Sequence, residues 1–385
     1  MIQVYDKRVR SILLVSYFSP SRGHAGGLRL LDLYRELRRL RPDIHIGLLT
    51  VDHRHEDWGV EGLDGIFDEI VRLPLAKFSS SLLDGGQFRA DDFQLIDLQY
   101  HQSGALVEDA RTRWPNAIVV FSPMESQLRA ALGNSAGGLK GRFAKFRESV
   151  VRIWLAVQEV RYVRAADRVI TVSEPDRAAL RWIKSHDSLV CIPTGCSQLE
   201  FLDVTPSYEL STQPVVVFFA YFGSKSNRDA LIWYCREVHS RLAGMVDNYV
   251  LRVVGRGVDQ ELIDACTVVG VEFIGQVEHI RDGLRDAAVG IAPALSGAGV
   301  RGKIHHYAAS GIACVASPLA NEGLEYNDGI SILLARDSIE FANACASLLR
   351  DGFLRARIGR RAREVCLTHY TWDSLADRIE AAYKI

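Results

Sequence analysis

The chain has 385 residues, of which 48% are hydrophobic and 24% charged, and its net charge is −1. This length exceeds what one hydrophobic core usually holds, so we expect two domains of somewhat under about 200 residues each. The balanced charge excludes a general nucleic-acid-binding protein, which needs a strong basic excess. No apolar run approaches the roughly 18 residues that span a bilayer. The seven cysteines lack C-x-x-C spacing, which favours reduced thiols in a cytoplasmic protein.

Short apolar segments alternate with helical patterns along most of the chain. The strands predicted in the first half are Ile12–Phe18, Ile44–Val51, Phe93–Leu98, Ala117–Phe121, Arg168–Val172 and Leu189–Ile192. Those predicted in the second half are Val215–Phe219, Tyr249–Val254, Val271–Ile274, Val289–Ala292, Ile312–Ala316 and Ile330–Leu334. Strands that alternate with helices form parallel sheets covered on both faces. The predicted class is therefore α/β, with two Rossmann-like, doubly wound domains.

Residues 197–213 have mixed polarity and no clear period, which is typical of a linker. We therefore predict domains at 1–200 and 201–365. The remaining segment, 366–385, ends in a helix that packs either on the second domain or back on the first. Two such domains form a cleft between the carboxyl ends of facing sheets, where folds of this class bind ligands.

The stretch SGAGVRGKIHHYAASG, residues 296–311, contains three glycines in a G-x-G-x-x-G pattern: Gly297, Gly299 and Gly302. Glu322 lies twenty residues further on, as in a dinucleotide-binding fingerprint. However, four residues separate the preceding strand from the first glycine, and this βα unit does not open its domain. Both features argue against an NAD site.

Two cations in the same stretch favour another phosphate ligand. Arg301 and Lys303 stand where a glycine loop opens a helix, whose free N–H groups attract anions. Two cations beside a glycine turn suit a diphosphate better than a lone carboxylate, since arginine binds phosphate in bidentate fashion. A flexible loop with solvated basic residues would show the same pattern, so both interpretations stand on this motif alone.

Further short motifs flank this stretch in a consistent order. They are Asn227-Arg-Asp-Ala-Leu-Ile-Trp, Val254-Gly-Arg-Gly257, Phe273-Ile-Gly-Gln-Val277, Gly299-Val-Arg-Gly-Lys303, Ser310-Gly-Ile-Ala-Cys-Val-Ala-Ser317, Tyr370-Thr-Trp372, Ala166-Asp-Arg-Val-Ile-Thr-Val-Ser173 and Ile192-Pro-Thr-Gly-Cys196. Gly26 and Gly27 follow the first strand. Together these motifs resemble the retaining GT-B glycosyltransferases of family four, the glycosyl transferases group 1. Members transfer a sugar from a nucleotide diphosphate donor.

The resemblance implies an acceptor-binding first domain and a donor-binding second domain. Arg301 and Lys303 would then be catalytic, because fixed cations stabilise the charge that develops on the leaving diphosphate. The chain has no D-x-D sequence, which fits an enzyme that needs no metal. The resemblance implies a UDP- or GDP-sugar as co-substrate and no cofactor. The donor-contacting residues that it implies are Gly26, Gly27, Arg256, Gly297, Gly299, Val300, Arg301, Lys303, His306, Glu322 and Glu325.

The chain departs from the family pattern at the nucleotide ribose. Family members place a glutamate five residues before the glycine that corresponds to Gly311, and this chain has His306 there. A neutral histidine can still hydrogen-bond a hydroxyl. Either His306 keeps the ribose contact, or Glu322 and Glu325 take it over. His305 is expected to be a solvated helix residue.

The first half also departs from the family pattern. Family members often end the strand that corresponds to Ala117–Phe121 with a histidine that faces the sugar. Here Ser122 and Glu125 follow instead. Glu125 contacts the sugar as a catalytic residue, or it caps the next helix. The predicted acceptor or sugar contacts are therefore His24, Ser122 and Glu125.

Residues 139–168 carry eight Lys or Arg against three acids. One helical face is apolar, formed by Phe143, Phe146, Val150, Trp154, Val157 and Val160. Such a helix either packs on the core or lies on an anionic membrane. The second interpretation predicts peripheral contact with the inner face of the membrane and a lipid-linked acceptor.

The chain is thus predicted to be a cytoplasmic hexosyltransferase of polysaccharide biosynthesis. It would transfer a sugar, with retention, to a glycan or lipid-linked glycan. Two alternatives stay open. A nucleotide-sugar epimerase has a similar architecture. Family members have glutamates at the positions of Ala298 and His306, and their absence would also suit a catalytically degenerate protein that binds nucleotide sugars. No nucleic-acid partner is expected.

Overall fold

The computed structural model describes residues 8–22, 24–52, 62–74, 78, 88, 92–132, 142–201, 213–296 and 302–385, with the backbone alone for 142–148 and 199. The chain divides into two compact units. The first comprises residues 1–193 and 375–385, and the second comprises residues 194–374. Residues 375–385, at the C-terminus, therefore belong to the same unit as the N-terminal half of the chain.

The first unit contains a parallel sheet of seven strands in the order β3-β2-β1-β4-β5-β6-β7. The strands are β1 (Ser11–Ser16), β2 (His45–Asp52), β3 (Glu69–Pro74), β4 (Leu95–Gln99), β5 (Ile118–Ser122), β6 (Arg168–Thr171) and β7 (Leu189–Cys191). Its α-helices are α1 (Ala25–Leu40), α2 (Val107–Arg113), α3 (Gln127–Leu132), α4 (Arg142–Ala165), α5 (Glu174–Leu180) and, from the C-terminus, α14 (Ala376–Tyr383). A 3₁₀ turn at His101–Leu106 precedes α2.

Both faces of this sheet are buried, as its apolar strands predict. On one face, Leu13 and Val15 of β1 lie in the same core cluster as Val163 of α4. On the other face, the buried carboxylate of Asp97 in β4 accepts hydrogen bonds of 2.7 Å from the hydroxyls of Tyr34 in α1 and Tyr383 in α14. These two bonds attach the terminal helix to the first sheet.

The second unit contains a parallel sheet of six strands in the order β10-β9-β8-β11-β12-β13. The strands are β8 (Val215–Phe219), β9 (Val250–Val254), β10 (Val271–Gly275), β11 (Ala287–Ala292), β12 (Ala313–Ala316) and β13 (Leu333–Leu334). The α-helices are α6 (Gln198–Phe201), α7 (Lys225–Trp233), α8 (Ser240–Ala243), α9 (Gln260–Ala265), α10 (Ile280–Leu284), α11 (Lys303–Ala309), α12 (Ser338–Arg350) and α13 (Gly352–His369). A π-helical segment, Tyr234–His239, joins α7 to α8.

Alternate residues of β8 enter two separate cores. Val216 and Phe218 pack in the cluster that includes Phe341 of α12, whereas Val217 packs in the cluster that includes Ile304 of α11. A strand presents successive side chains to opposite faces, so helices cover both faces of the sheet. Together with the strand order, this confirms the predicted α/β class with two Rossmann-like sheets.

The main element that the sequence did not predict is β3. Its residues alternate between half-buried and exposed, and it carries Glu69 and Arg72 at the edge of the first sheet. Edge strands tolerate charge and short length, which weakens their apolar pattern. Among the described residues, no helix has the length and hydrophobicity that crossing a membrane requires.

Candidate functional site

The second sheet reverses its strand order between β8 and β11, and doubly wound sheets bind ligands at this point. A crevice opens there. Its lining residues are Phe218, Ser226, Asn227, Ala230, Ala292, Pro293, Ala294, Ser296, Lys303 and Ala320. The crevice thus joins the end of β11 to the starts of α7 and α11, and it contains the predicted catalytic Lys303.

Lys303 is the first residue of α11, and two neighbours hold its ammonium group. Its Nζ donates a hydrogen bond of 3.1 Å to Oδ1 of Asn227 and lies 4.5 Å from the centre of the Phe218 ring. The Asn227 side chain also donates to the carbonyl of Tyr221 at 2.8 Å, which directs its amide oxygen toward the lysine. The negative face of the aromatic ring attracts the cation, which helps to fix the ammonium group in place.

The structure does not describe the other predicted residues of the glycine loop. Gly297, Gly299, Val300 and Arg301 lie outside the described residues. The description resumes at Gly302, next to Lys303.

Two other loops at this edge of the sheet are in backbone contact. Gly255 has a φ of 137°, and a Cβ added there would lie 1.8 Å from the carbonyl oxygen of Ala220. A Cβ on Gly257 would lie 2.4 Å from the backbone nitrogen of Gly223. Between these glycines, the carbonyl of the half-buried Arg256 accepts a hydrogen bond of 2.7 Å from the Phe222 amide. The glycines are therefore required by close packing, and the loop presents Arg256 at the ligand-binding edge.

His306 is buried beside two aromatic rings. Its ring centre lies 5.9 Å from that of Phe201 and 5.7 Å from that of Phe219. Burial lowers the pKa of His306 to about 4, so the ring is neutral at physiological pH. Its Nδ1 is buried without a hydrogen-bond partner within the described part of the chain. The ring can therefore still accept or donate one hydrogen bond.

The expectation that His305 is solvated is wrong. The residue is fully buried, its ring stacks on that of Tyr370 at 4.2 Å, and its Nδ1 lies 3.0 Å from the Tyr326 hydroxyl. Burial, with a smaller effect from His306, lowers the pKa of His305 to about 3. On α11, the His305 side chain points toward Tyr326 and Tyr370 in the C-terminal part of the second unit. The sequence alone does not show these contacts.

Glu322 and Glu325 are exposed on the segment that follows β12. The backbone amide of Glu325 donates a hydrogen bond of 2.7 Å to the Tyr370 hydroxyl. The segment is thus anchored while the Glu325 carboxylate faces solvent. Which of these residues contacts a ribose stays a prediction.

In the first unit, the strand order reverses between β1 and β4. His24 caps α1 there: its Nδ1 accepts a hydrogen bond of 3.1 Å from the Gly27 amide. Gly26, in the first turn, lies against the side chain of Tyr100, because a Cβ on Gly26 would be 2.6 Å from the Tyr100 hydroxyl. The structure thus brings His24, Gly26 and Gly27 together beside a tyrosine that the sequence did not single out.

Ser122 ends β5, next along the same edge. Its carbonyl accepts a hydrogen bond of 2.8 Å from the Tyr100 amide, and its buried hydroxyl has no partner among the residues described. Glu125 is half-buried in the following turn. Ser126 caps α3, since Ser126 Oγ accepts a hydrogen bond of 3.2 Å from the Arg129 amide.

Three apolar residues of the predicted apolar face of helix α4 are exposed. Val150, Trp154 and Val157 are 49%, 58% and 55% exposed, whereas Ala156 and Glu159 are buried. For these positions, the interpretation that the apolar face packs on the core is wrong. The side chains of Phe143 and Phe146 lie outside the described residues.

No group of three or more His, Cys, Asp or Glu that could hold a metal occurs in the described ranges.

Residues 213–351 match the family model described as "Glycosyl transferases group 1". This segment is therefore similar to the glycosyl transferases group 1. The match covers the Lys303 crevice and the Gly255–Gly257 loop. It confirms the predicted resemblance and, for this domain, the prediction of a glycosyltransferase. No curated protein matches the chain.

Solved structures share the fold over nearly the whole length. Sucrose-phosphate synthase from Thermosynechococcus elongatus is 18% identical, with a TM-score of 0.74, over 97% of this chain and 98% of that one. HepE of Anabaena, solved with UDP and glucose, is 16% identical, with a TM-score of 0.70, over 97% and 99%. The lipopolysaccharide outer core galactosyltransferase WaaB is 11% identical, with a TM-score of 0.65, over 97% and 99%. These likenesses confirm the GT-B fold.

Sequence reasoning missed two of the side chains that define these sites. The sequence pattern indicates only a strand at Phe218, and its position near the end of β8 places it at the point of strand reversal. Tyr100 follows β4 directly, which was a usable signal. The sequence motif includes Asn227, but it does not indicate that Asn227 accepts a hydrogen bond from Lys303.

Proposed function

We propose that the glycosyltransferase transfers a sugar from a UDP- or GDP-sugar to a hydroxyl of a glycan or lipid-linked glycan, with retention and without a metal ion. The observation that carries the proposal is the ammonium group of Lys303, held by Asn227 and Phe218 in the crevice of a glycosyl transferases group 1 domain. The HepE structures with UDP and glucose and with UDP-glucose support the same donor class.

Lys303 would stabilise the leaving group. As the bond between the anomeric carbon and the diphosphate oxygen breaks, the electron pair stays on the diphosphate and its negative charge rises. A preorganised cation stabilises this charge without having to reorient. Arg301 is proposed to share the role.

The nucleotide contacts are proposed on the same edge of the second sheet. The neutral ring of His306, with its open Nδ1, would hydrogen-bond a ribose hydroxyl, unless Glu322 and Glu325 bind it. Arg256 is proposed as a further donor contact. The glycine loop at Gly297, Gly299 and Val300 is proposed to approach the diphosphate through its backbone.

The first unit is proposed to supply the contacts to acceptor and sugar. Glu125 is the proposed catalytic carboxylate, with Ser122 and His24 as hydrogen-bonding groups. The glycines at 26 and 27 open α1, and we propose that the backbone at Gly26 approaches an anionic group of the donor.

A panel of UDP-, GDP- and dTDP-sugars tests the function. We expect one of them, and the matching nucleoside diphosphate, to raise the melting temperature, and we expect the sugar nucleotide to be consumed when a glycan acceptor is added. Donor conversion to an isomer without acceptor would identify an epimerase instead. Binding with neither transfer nor hydrolysis would identify a degenerate protein, and absence of any binding would overturn the proposal.

We further propose that the protein is cytoplasmic and meets the inner face of the membrane through α4. The exposed side chains Val150, Trp154 and Val157 lie at helical spacing on one face, and Arg161 and Arg164 are exposed on the same helix. Exposed apolar patches rimmed by polar residues mark interaction sites, and apolar side chains beside cations suit an anionic lipid surface. A lipid-linked acceptor would be reached there.

Sedimentation with lipid vesicles tests this contact. Vesicles of phosphatidylglycerol and phosphatidylcholine should bind the full chain more strongly than pure phosphatidylcholine. Replacing Val150, Trp154 and Val157 by serine should weaken binding by about tenfold or more. The control is Val269→Ser, because Val269 is 97% exposed on the second unit. Equal binding by both variants would exclude this surface.

A further inference from the structure

The turn that carries Glu125 is held by a buried acid on α4. Oε2 of Glu159 accepts hydrogen bonds from Ser126 Oγ at 3.0 Å and from the Leu128 amide at 2.8 Å. Glu159 is fully buried, and burial raises the pKa of its carboxyl group. Its carboxyl group therefore lies directly behind the start of α3.

A second buried acid holds the same segment from α5. Oδ1 of Asp176 accepts a hydrogen bond of 2.7 Å from Arg129 Nε, and its Oδ2 accepts one of 2.7 Å from Ser173 Oγ. The start of α3 is thus attached to two different helices. A turn fixed at this end cannot rotate as a free loop would.

The turn itself has an unusual backbone. Met124 has a φ of 68°, which is in the left-handed region that non-glycine residues rarely adopt. The other end of the turn is attached to β4, through the bond from the Tyr100 amide to the Ser122 carbonyl. Backbone strain persists only where surrounding contacts determine it, and such positions cluster at functional sites.

Stability alone does not explain Glu159. Ser126 already caps α3, and burying a carboxyl group costs free energy unless all of its polar atoms are paired. Oε1 of Glu159 has no partner in the part of the chain that the structure describes. An apolar residue at this place would pack without that cost, but it would leave the orientation of the turn unspecified.

We infer that Glu159 is a positioning residue for sugar transfer: from α4 it fixes the turn at residues 123–126 and so orients the carboxylate of Glu125. Glu159 itself does not touch the substrate. The inference rests on the proposed function, in which Glu125 contacts the transferred sugar.

Four variants of the full chain test the inference: Glu159→Leu, Glu159→Gln, Glu125→Gln, and the double variant with Glu159→Leu and Glu125→Gln. The glutamine at 159 keeps an acceptor oxygen for Ser126 and Leu128. We expect Glu159→Leu to lower kcat by about 100-fold with little change in the KM of the donor, as a misplaced catalytic group does. Glu159→Gln should keep kcat within about a factor of three.

The double variant separates positioning from general damage. If Glu159 acts through Glu125, the double variant should be no slower than Glu125→Gln alone. Amide hydrogen exchange at residues 127 and 128 gives a readout that needs no substrate. It should be faster in Glu159→Leu and unchanged in Glu159→Gln, while the second unit keeps its exchange pattern.

The outcomes distinguish this inference from the proposed function. If the wild-type chain turns over no sugar nucleotide of the panel, the proposed function fails, and the inference fails with it. If Glu125→Gln lowers kcat but the losses at 125 and 159 multiply, sugar transfer stands and the positioning role is overturned. Unchanged exchange at residues 127 and 128 in Glu159→Leu would also overturn it, even if kcat falls.

Discussion

The two sheets reverse their strand order at equivalent points but build the surrounding loops differently. In the second unit, Gly255 and Gly257 lie directly against the backbone of residues 220–223. In the first unit, Gly26 faces a side-chain hydroxyl, that of Tyr100, and the neighbouring turn is held by buried carboxylates. A substitution can shorten a contacting side chain, but it cannot remove a contacting backbone atom. An added Cβ would lie 1.8 Å and 2.4 Å from backbone atoms at Gly255 and Gly257, but no closer than 3.0 Å to backbone atoms at Gly27. The edge of the second sheet is therefore expected to be the more rigid of the two.

The largest expected effect is at Gly255. An added Cβ would lie 1.8 Å from the Ala220 carbonyl oxygen, and φ is 137°. Gly255→Ala must therefore shift two backbone segments, and it should lower the free energy of unfolding by about 4 kcal/mol or more. Urea denaturation measures this. The control is Gly275→Ala, also at positive φ but with no atom within 4 Å of the added Cβ, which should cost about 1 kcal/mol. Equal losses would contradict the proposed rigidity.

Lys303→Ala should remove charge stabilisation from the leaving diphosphate while the fold stays intact. We expect a loss of about 3 kcal/mol of transition-state stabilisation, or about 100-fold in kcat. Nucleoside diphosphate release from the donor measures it. Lys225→Ala is the matched control, since Lys225 pairs with Asp229 on the exposed surface of α7. Comparable activity of the two variants would exclude Lys303 from the reaction.

Acid should destabilise the second unit through its buried histidines. Burial holds the pKa of His306 at about 4 in the folded protein, while an unfolded histidine titrates near about 6.5. Between these values the unfolded chain binds the proton and the folded one does not, so stability falls as pH drops. In His306→Phe, the loss of unfolding free energy from pH 7 to pH 4.5 should shrink by about 2 to 3 kcal/mol. His186→Gln, at an exposed position, is the control. If His306→Phe loses as much unfolding free energy between pH 7 and pH 4.5 as the wild type, protonation of His306 is not the cause of the acid destabilisation.

The smallest effect is expected at Gly26. Gly26→Ala brings a Cβ within 2.6 Å of the Tyr100 hydroxyl and should cost about 1 to 2 kcal/mol of unfolding free energy through overpacking. Tyr100→Phe removes that oxygen but keeps two ring carbons at 3.1 and 3.2 Å from the added Cβ. In this background Gly26→Ala should therefore cost less, since alanine favours helix over glycine, without becoming stabilising. Thermal unfolding of the four proteins gives the coupling. If Tyr100→Phe fails to rescue Gly26→Ala, the contact at Gly26 is more rigid than the structure indicates.

Sequence reasoning located most strands to within a few residues, because each buried strand is a local apolar run. It placed Lys303 correctly at the start of a helix. It did not foresee that His305 is buried, since the residues that cover it, Tyr326 and Tyr370, come from distant parts of the chain. Nor could it decide which face of α4 turns inward.

By itself, the sequence determined the α/β class, the two parallel sheets and the presence of a glycosyltransferase domain, because hydrophobic periodicity and short motifs are local properties. Only the tertiary structure decided which residues meet. Asn227 and Lys303 are 76 positions apart, and α14 returns to the first sheet through Asp97. Glu159 of α4 is buried, whereas Trp154 and Val157 of the same helix face solvent. Such choices depend on neighbours brought together by chain topology, which no single segment specifies.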